Sequence, residues 1–414
     1  MWARVYAFGF LSSLYLDQFL WMVYLLHLGY SPAFVGVQYA LMQAGRLILD
    51  VPSSMFADRF GARQVLAVGA AAKLASAVLY LLAPWGPVYP LVGALVTAVA
   101  LTLPSGVDLA YVRGLADRSR GDRTERSALR RFADYVAMQR LAGIGSGIVG
   151  GLIASVSFAW LYIADAFVSL LLLATTLALP TVDPASHSVH GIGRHQAPPL
   201  GLHALLRSPA RRIWLLGAAA ALLWAFSSVG TEYSQSLLND LGLHPLGISI
   251  AFAAAATAMW AATVWTGRLA SRGRERALRL ALWGYPLAAG LRALAVPGWP
   301  ESIGLGISGL TVARGASGVG ALLLEQRLLD EAPATLRATT LSLVNTLQMG
   351  LQLVLFALLG LVATRQGMPI VFAVLATGLA LAALALSVAL RTAHPRPLGM
   401  AAGGDGLSDA ERPS

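Results

Sequence analysis

Residues Asp50 to Arg63 read DVPSSMFADRFGAR. An acid, a proline and two serines lead into a dense Asp-Arg-x-Gly-x-Arg cluster, directly after a long apolar run. A short connection between two apolar segments must turn sharply, and Gly61 supplies the residue for that turn. The turn does not by itself require Asp58 and Arg59 at the same bend. The placement of these charges decides how the rest of the chain is read.

That chain has 414 residues, of which 57% are hydrophobic and 12% charged, and its mean hydropathy is +0.66. A soluble domain carries roughly a quarter charged residues, so this composition cannot cover a water-facing surface. It specifies a polytopic membrane protein. Cysteine is absent, which excludes disulfides, thiol catalysis and thiolate metal sites. Of the 30 basic residues, 29 are arginine, a bias that fits a GC-rich bacterial genome. The start, MWARVYAFGFLSSLYLDQFLWMVYLL, is too long for a signal-peptide core and lacks a small-x-small cleavage site. It reads as a retained first span.

Apolar segments of about twenty residues, the length that crosses a hydrocarbon core, recur throughout. They predict helices at 4–28, 33–53, 64–83, 88–112, 135–156, 158–180, 212–236, 246–267, 277–296, 302–325, 335–363 and 368–391. The fold class is therefore an all-α integral membrane protein with twelve transmembrane helices. The expected organisation is a bundle at 1–180, a cytoplasmic linker at 181–210, a second bundle at 211–391 and a flexible tail at 392–414. With the N-terminus inside, the cytoplasmic loops hold Arg59, Arg63, Arg113, Arg118, Arg120, Arg123, Arg126, Arg130 and Arg131, and later Arg268, Arg272, Arg274, Arg276 and Arg279. The outer loops hold Arg365 and, at the end of the ninth span, Arg292. Short loops with this asymmetry put both termini in the cytoplasm of a cell membrane. Topology and anionic lipid account for the basic run RGLADRSRGDRTERSALRR, and no nucleic-acid partner is required. The linker carries His187, His190, His195 and His203, but its proline and glycine content reads as a flexible connection, and no metal site is expected.

The stretch SSMFADRFGAR resembles the cytoplasmic signature of the major facilitator superfamily, Gly-x-Leu-x-Asp-Arg-x-Gly-Arg-Arg/Lys between helices 2 and 3. Asp58, Arg59, Gly61 and Arg63 match, whereas Ser54, Phe56 and Ala62 depart from the pattern. The preceding LDVPS looks like the acid-x-Pro opening of drug-exporter-like members, with Asp50 as the acid. A worn copy, GRLASRGRER at Gly267–Arg276, lies between the eighth and ninth predicted helices, as two parallel six-helix repeats would require. The resemblance implies alternating access, with Asp58 as a gate acid held by the start of helix 11 near APATLRATT, and Arg59 and Arg63 as its charge partners. Two family patterns are missing. Thr102 stands where proton-driven exporters often carry arginine in helix 4, and GIGSGIVGG has Gly147 in place of the antiporter proline, keeping Gly150 and Gly151.

Ionisable groups inside a membrane cost about 2.5 kcal/mol or more, and they usually face a cavity or a partner. The candidates for coupling or for the cavity are Asp17, Arg46, Asp50, Asp108, Asp165, Glu232 and Arg314. Arg46 and Asp50 stand four apart and can neutralise each other. Asp165 or Glu232 could partner Arg314. Trp21 and Tyr24 follow Asp17 at helical spacing, and Trp224 joins Ser227 and Thr231 in a mixed stripe. Asn345, Gln348 and Gln352 share a face that predicts a cavity lining.

These residues predict a secondary active transporter, first of all a proton-coupled exporter of a small amphipathic compound acting as a monomer. An uptake permease for a sugar, amino acid or organic anion is the alternative, and a non-transporting scaffold or sensor a third reading. No catalytic constellation and no Gly-x-x-x-x-Gly-Lys-Ser/Thr loop is present, so neither an enzyme nor a cofactor is expected.

Overall fold

The computed structural model describes residues 2–118, 125–180, 210–271, 273–332 and 337–391, and they are all helical apart from short connections. The predicted linker with its four histidines, the tail, and Pro333–Leu336 of the helix 11 start lie outside the described residues. In chain order the helices are α1 (Trp2–Ser13), α2 (Trp21–His27), α3 (Pro32–Phe60), α4 (Ala62–Leu81), α5 (Val88–Thr102), α6 (Val107–Arg118), α7 (Glu125–Val156) and α8 (Phe158–Leu177). Then follow α9 (Ala210–Asp240), α10 (Pro245–Ser271), α11 (Arg274–Ala293), α12 (Ser302–Glu331), α13 (Arg337–Gln366) and α14 (Met368–Arg391). Among the described residues, nine helical stretches are long and apolar enough to cross a membrane.

Each predicted segment meets a helix, but two are interrupted. The first, expected to be continuous from 4 to 28, breaks between Ser13 and Trp21. The second interruption falls at Leu103–Gly106, where Pro104, lacking an N–H, and Gly106, at φ +78°, end α5 and start α6. The predicted turn at Gly61 is present, with φ +86°, and separates α3 from α4.

Exposed apolar side chains form helix-long faces, for example Ile163, Phe167 and Leu170 on α8 and Leu381, Leu384 and Val388 on α14. Hydrocarbon solvates such faces and water does not. Small residues bring the helices together inside. Along α7, a Cβ at Gly147 or Gly150 would run into Phe19 or the Leu16 carbonyl, and one at Gly151 would lie 2.6 Å from Ser249 Cβ of α10. Close packing through small residues thus accounts for that glycine run.

Helices α1–α8 and α9–α14 meet chiefly where α3 packs along α13 and α7 along α10. Contacts across this boundary cluster toward one end. Ala33 N donates to Thr364 Oγ1 at 2.8 Å, Tyr39 packs 3.9 Å from Phe356, and Phe19 stacks 5.0 Å from Phe252. Gln43 also bonds to Gln352 across the boundary. At the arginine-rich end, three polar contacts tie helices within one set. Arg63 donates to the Leu177 carbonyl, Arg4 to the Ala178 carbonyl, and Arg274 pairs with Asp330 at 3.1 Å. The described contacts close the end holding the α2–α3 link.

Candidate functional site

Between the two sets of helices lies a cavity of about 750 Å³, lined among others by Asp17, Trp21, Lys73, Asp165, Glu232 and Arg314. Its geometry starts from the break in the first span. Breaking a helix frees carbonyls before the gap and N–H groups after it, and inside a membrane each needs a partner. Lys73 of α4 provides one answer. Its Nζ donates to Leu14 O at 2.8 Å and Leu11 O at 3.4 Å, and lies 3.8 Å from the Tyr15 ring centre. Asp165 of α8 provides the other, its Oδ1 accepting from Leu16 N at 3.2 Å. One base and one acid hold the two kinds of freed backbone group. Asp17 sits within the break, and its own carbonyl starts α2 by accepting from Leu20 N and Trp21 N.

Beyond the break, α2 is fastened to α9 rather than to α1. Trp21 Nε1 donates to Glu232 Oε2 at 3.1 Å, Gln235 Nε2 to the same oxygen at 2.9 Å, and Met22 N to Gln235 Oε1 at 3.3 Å. The Trp21 ring stacks on Tyr39, 5.1 Å between centres, making an aromatic wall beside these polar groups. Arg314 of α12 lines the same cavity as Glu232.

Other candidates fall elsewhere. Asp108 opens α6, where its Oδ2 accepts from Tyr135 at 3.1 Å and Gln139 at 3.0 Å. It lines a side pocket of about 210 Å³ that shares Lys73, Ser12 and Gln139 with the main cavity. Arg46 donates to Gln43 Oε1 at 3.1 Å, and Asp50 is exposed one turn further on. Tyr24 is 2% exposed and spends its hydroxyl on the Tyr80 carbonyl, so it packs the core instead of facing the cavity. Trp224 is likewise partly buried against the core, with Nε1 unpartnered. The amide stripe divides. Gln352 is buried against Gln43, Gln348 is half-buried and Asn345 is exposed, and none of the three lines the cavity. Arg292, expected at an outer loop, is buried: its guanidinium donates to Ala288 O, Gly230 O and Ser234 Oγ and lies over Phe372.

Within the gate motif, Arg59 is exposed beside Phe60, and Arg63 ties the start of α4 to the end of α8. Asp58 falls in α3, and its side chain is outside the described residues. Reading charges by segment missed Lys73, Gln38, Gln139, Arg140 and Gln235. For Lys73 a signal existed: it is the only lysine in the chain and stands in the middle of an apolar segment.

The family model described as Major Facilitator Superfamily matches residues 5–353. No curated protein sequence matches the chain. Among solved structures, the nucleoside transporter NupG superposes with a TM-score of 0.79 at 17% identity, covering 94% of this chain and 99% of its own. A D-xylose-proton symporter gives 0.66 at 14% identity, with 93% and 95% covered. A POT family transporter in complex with a thioalcohol conjugated peptide gives 0.69 at 14%, with 94% and 96% covered. At these identities the likeness is one of fold.

Proposed function

Because the chain belongs to the Major Facilitator Superfamily, we propose that this multi-pass membrane transporter moves a small polar organic solute through the central cavity in a proton-coupled cycle. It has twelve spans in two six-helix bundles, 1–180 and 211–391, joined by the 181–210 linker. Both termini, including the 392–414 tail, lie in the cytoplasm of the cell membrane, and the chain works as a monomer. The arginine-rich end then faces the cytoplasm. Asp58, with Arg59 and Arg63, latches that end in one state of the cycle.

The observation that carries the coupling role is the pinning of the broken first span by Lys73 and Asp165 beside Asp17. A proton arriving on either carboxylate changes the charge that holds Lys73 on the freed carbonyls. The break would then loosen, and α2, fastened to α9 by Trp21 and Gln235, would move with the other bundle. Proton occupancy is thereby linked to the relative position of the two halves, as alternating access requires.

Acids, cations and the amides of Gln18, Gln38 and Gln139 around one cavity suit a hydrophilic solute. The fold shared with a nucleoside transporter and a D-xylose-proton symporter supports uptake. Efflux of an amphipathic compound is the second reading, favoured by the apolar wall of Phe19, Met42, Met259 and Trp260. The test is proton movement in proteoliposomes carrying an internal pH dye, challenged with a solute library under an imposed pH gradient. A substrate should shift the dye signal with wild type, and Asp17→Asn and Lys73→Gln should lose gradient-driven accumulation while keeping counterflow exchange. Accumulation by both variants at the wild-type level would sink the coupling role.

A further inference from the structure

We propose that Arg314 is an anion-binding residue and that the transported solute is an organic monocarboxylate with a hydrogen-bond donor. The proposal deepens the transport reading of the same cavity and rests on it.

The argument compares basic side chains held within the spans. Lys73 is satisfied by two carbonyls and an aromatic face. Arg292 is satisfied by two carbonyls, a hydroxyl and the Phe372 ring. Both are built into the scaffold. Arg314 differs from them. Among the described residues its guanidinium makes no hydrogen bond and no ion pair within 4 Å, its Nε is buried without a partner, and it lines the cavity. An arginine cannot shed its charge at physiological pH, so a guanidinium held within the spans with its Nε buried and no bonded partner is costly. That cost is recovered when a carboxylate accepts its paired N–H groups in the planar two-bond arrangement that arginine favours.

The surroundings narrow the class. Glu232 faces the same space, with Oε2 already accepting from Trp21 and Gln235. Its negative charge disfavours a dianion such as a phosphate monoester, whereas its remaining acceptor capacity suits a hydroxyl or amine on the cargo. The cavity holds three acids, Asp17, Asp165 and Glu232, and three bases, Lys73, Arg140 and Arg314, so among anions a monoanion perturbs this balance less than a dianion does. The stacked Trp21 and Tyr39 rings can receive an apolar or ring-bearing body.

The experiment measures the melting temperature of the purified full-length protein in detergent against matched probes: 4-hydroxybenzoate with 4-hydroxybenzamide, nicotinate with nicotinamide, and uridine and D-xylose as neutral solutes. At least one carboxylate should stabilise wild type while its amide does not. Its apparent affinity should fall tenfold or more in Arg314→Gln and be partly retained in Arg314→Lys, which keeps the charge and guards against misfolding. Equal stabilisation by acid and amide, undiminished carboxylate binding in Arg314→Gln, or stabilisation by no carboxylate would each overturn the proposal. Binding in detergent needs no gradient. A failure of proton coupling therefore leaves this result standing, and gradient-driven flux of a neutral solute would remove this inference alone.

Discussion

Trp21 Nε1 and Glu232 Oε2 lie 3.1 Å apart, joining the first turn of α2 to α9 across the boundary between the two sets of helices. This bond crosses that boundary on the cavity wall. It couples the broken span to the group facing Arg314.

Trp21→Phe keeps a ring for stacking on Tyr39 and removes the N–H. A hydrogen bond to a charged acceptor contributes about 1.5–3 kcal/mol, which corresponds to a tenfold or larger change in an equilibrium. Substrate-driven flux in proteoliposomes should drop by roughly that factor, with the melting temperature of the detergent-solubilised protein nearly unchanged. A matching loss of stability would show that the bond serves folding instead of the cycle.

Arg292 gives the opposite expectation. It is 1% exposed and bonded to α9 through Gly230 and Ser234, so it acts as an internal brace between α9 and α11. Arg292→Gln forfeits charge-assisted bonds and the Phe372 contact, for a cost of about 2–4 kcal/mol. Melting in detergent should fall clearly, while the apparent affinity of whatever protein remains folded stays at the wild-type value. A tenfold change in affinity without loss of stability would move Arg292 into the binding machinery.

The helical segments and the turn at Gly61 were legible in the sequence because they depend on composition, period and turn chemistry, which are local properties. Asp17, Asp165, Glu232 and Arg314 were legible as costly groups in apolar runs, and Trp21 by its helical spacing from Asp17, and the structure brings all five to one cavity. The break at Ser13–Trp21 was not, because nothing in LYLDQFL forbids a helix. It is held open by Lys73 and Asp165, which are 59 and 149 residues away from the groups they bond. Tyr24 and Arg292 failed for a related reason. A polar side chain in a span can satisfy itself on a neighbour's backbone, and only packing reveals that Tyr24 reaches the Tyr80 carbonyl and Arg292 the Gly230 carbonyl. The amide stripe, read as a cavity lining, is not one: on α13 Gln352 is buried against Gln43, and Asn345 is exposed outside the cavity.

The closed end depends on backbone contact at Gly36 and Gly360. A Cβ on Gly360 would lie 2.8 Å from Pro32 O, and one on Gly36 would run into the Phe356 carbonyl. Real side-chain carbons do not approach so closely, and the atoms in the way belong to backbone, so α3 and α13 must separate to admit a larger residue. Gly360→Val should therefore weaken closure at the α2–α3 end and favour opening there. The natural absence of cysteine makes this measurable. A cysteine at Gln18, on the cavity wall, can be challenged in whole cells with a membrane-impermeant maleimide. Labelling should rise several-fold in Gly360→Val over the Gln18→Cys background, and transport should fall because the cavity no longer seals. Equal labelling in both backgrounds, with the variant folded, would mean that the glycine contact packs the helices without acting as the seal.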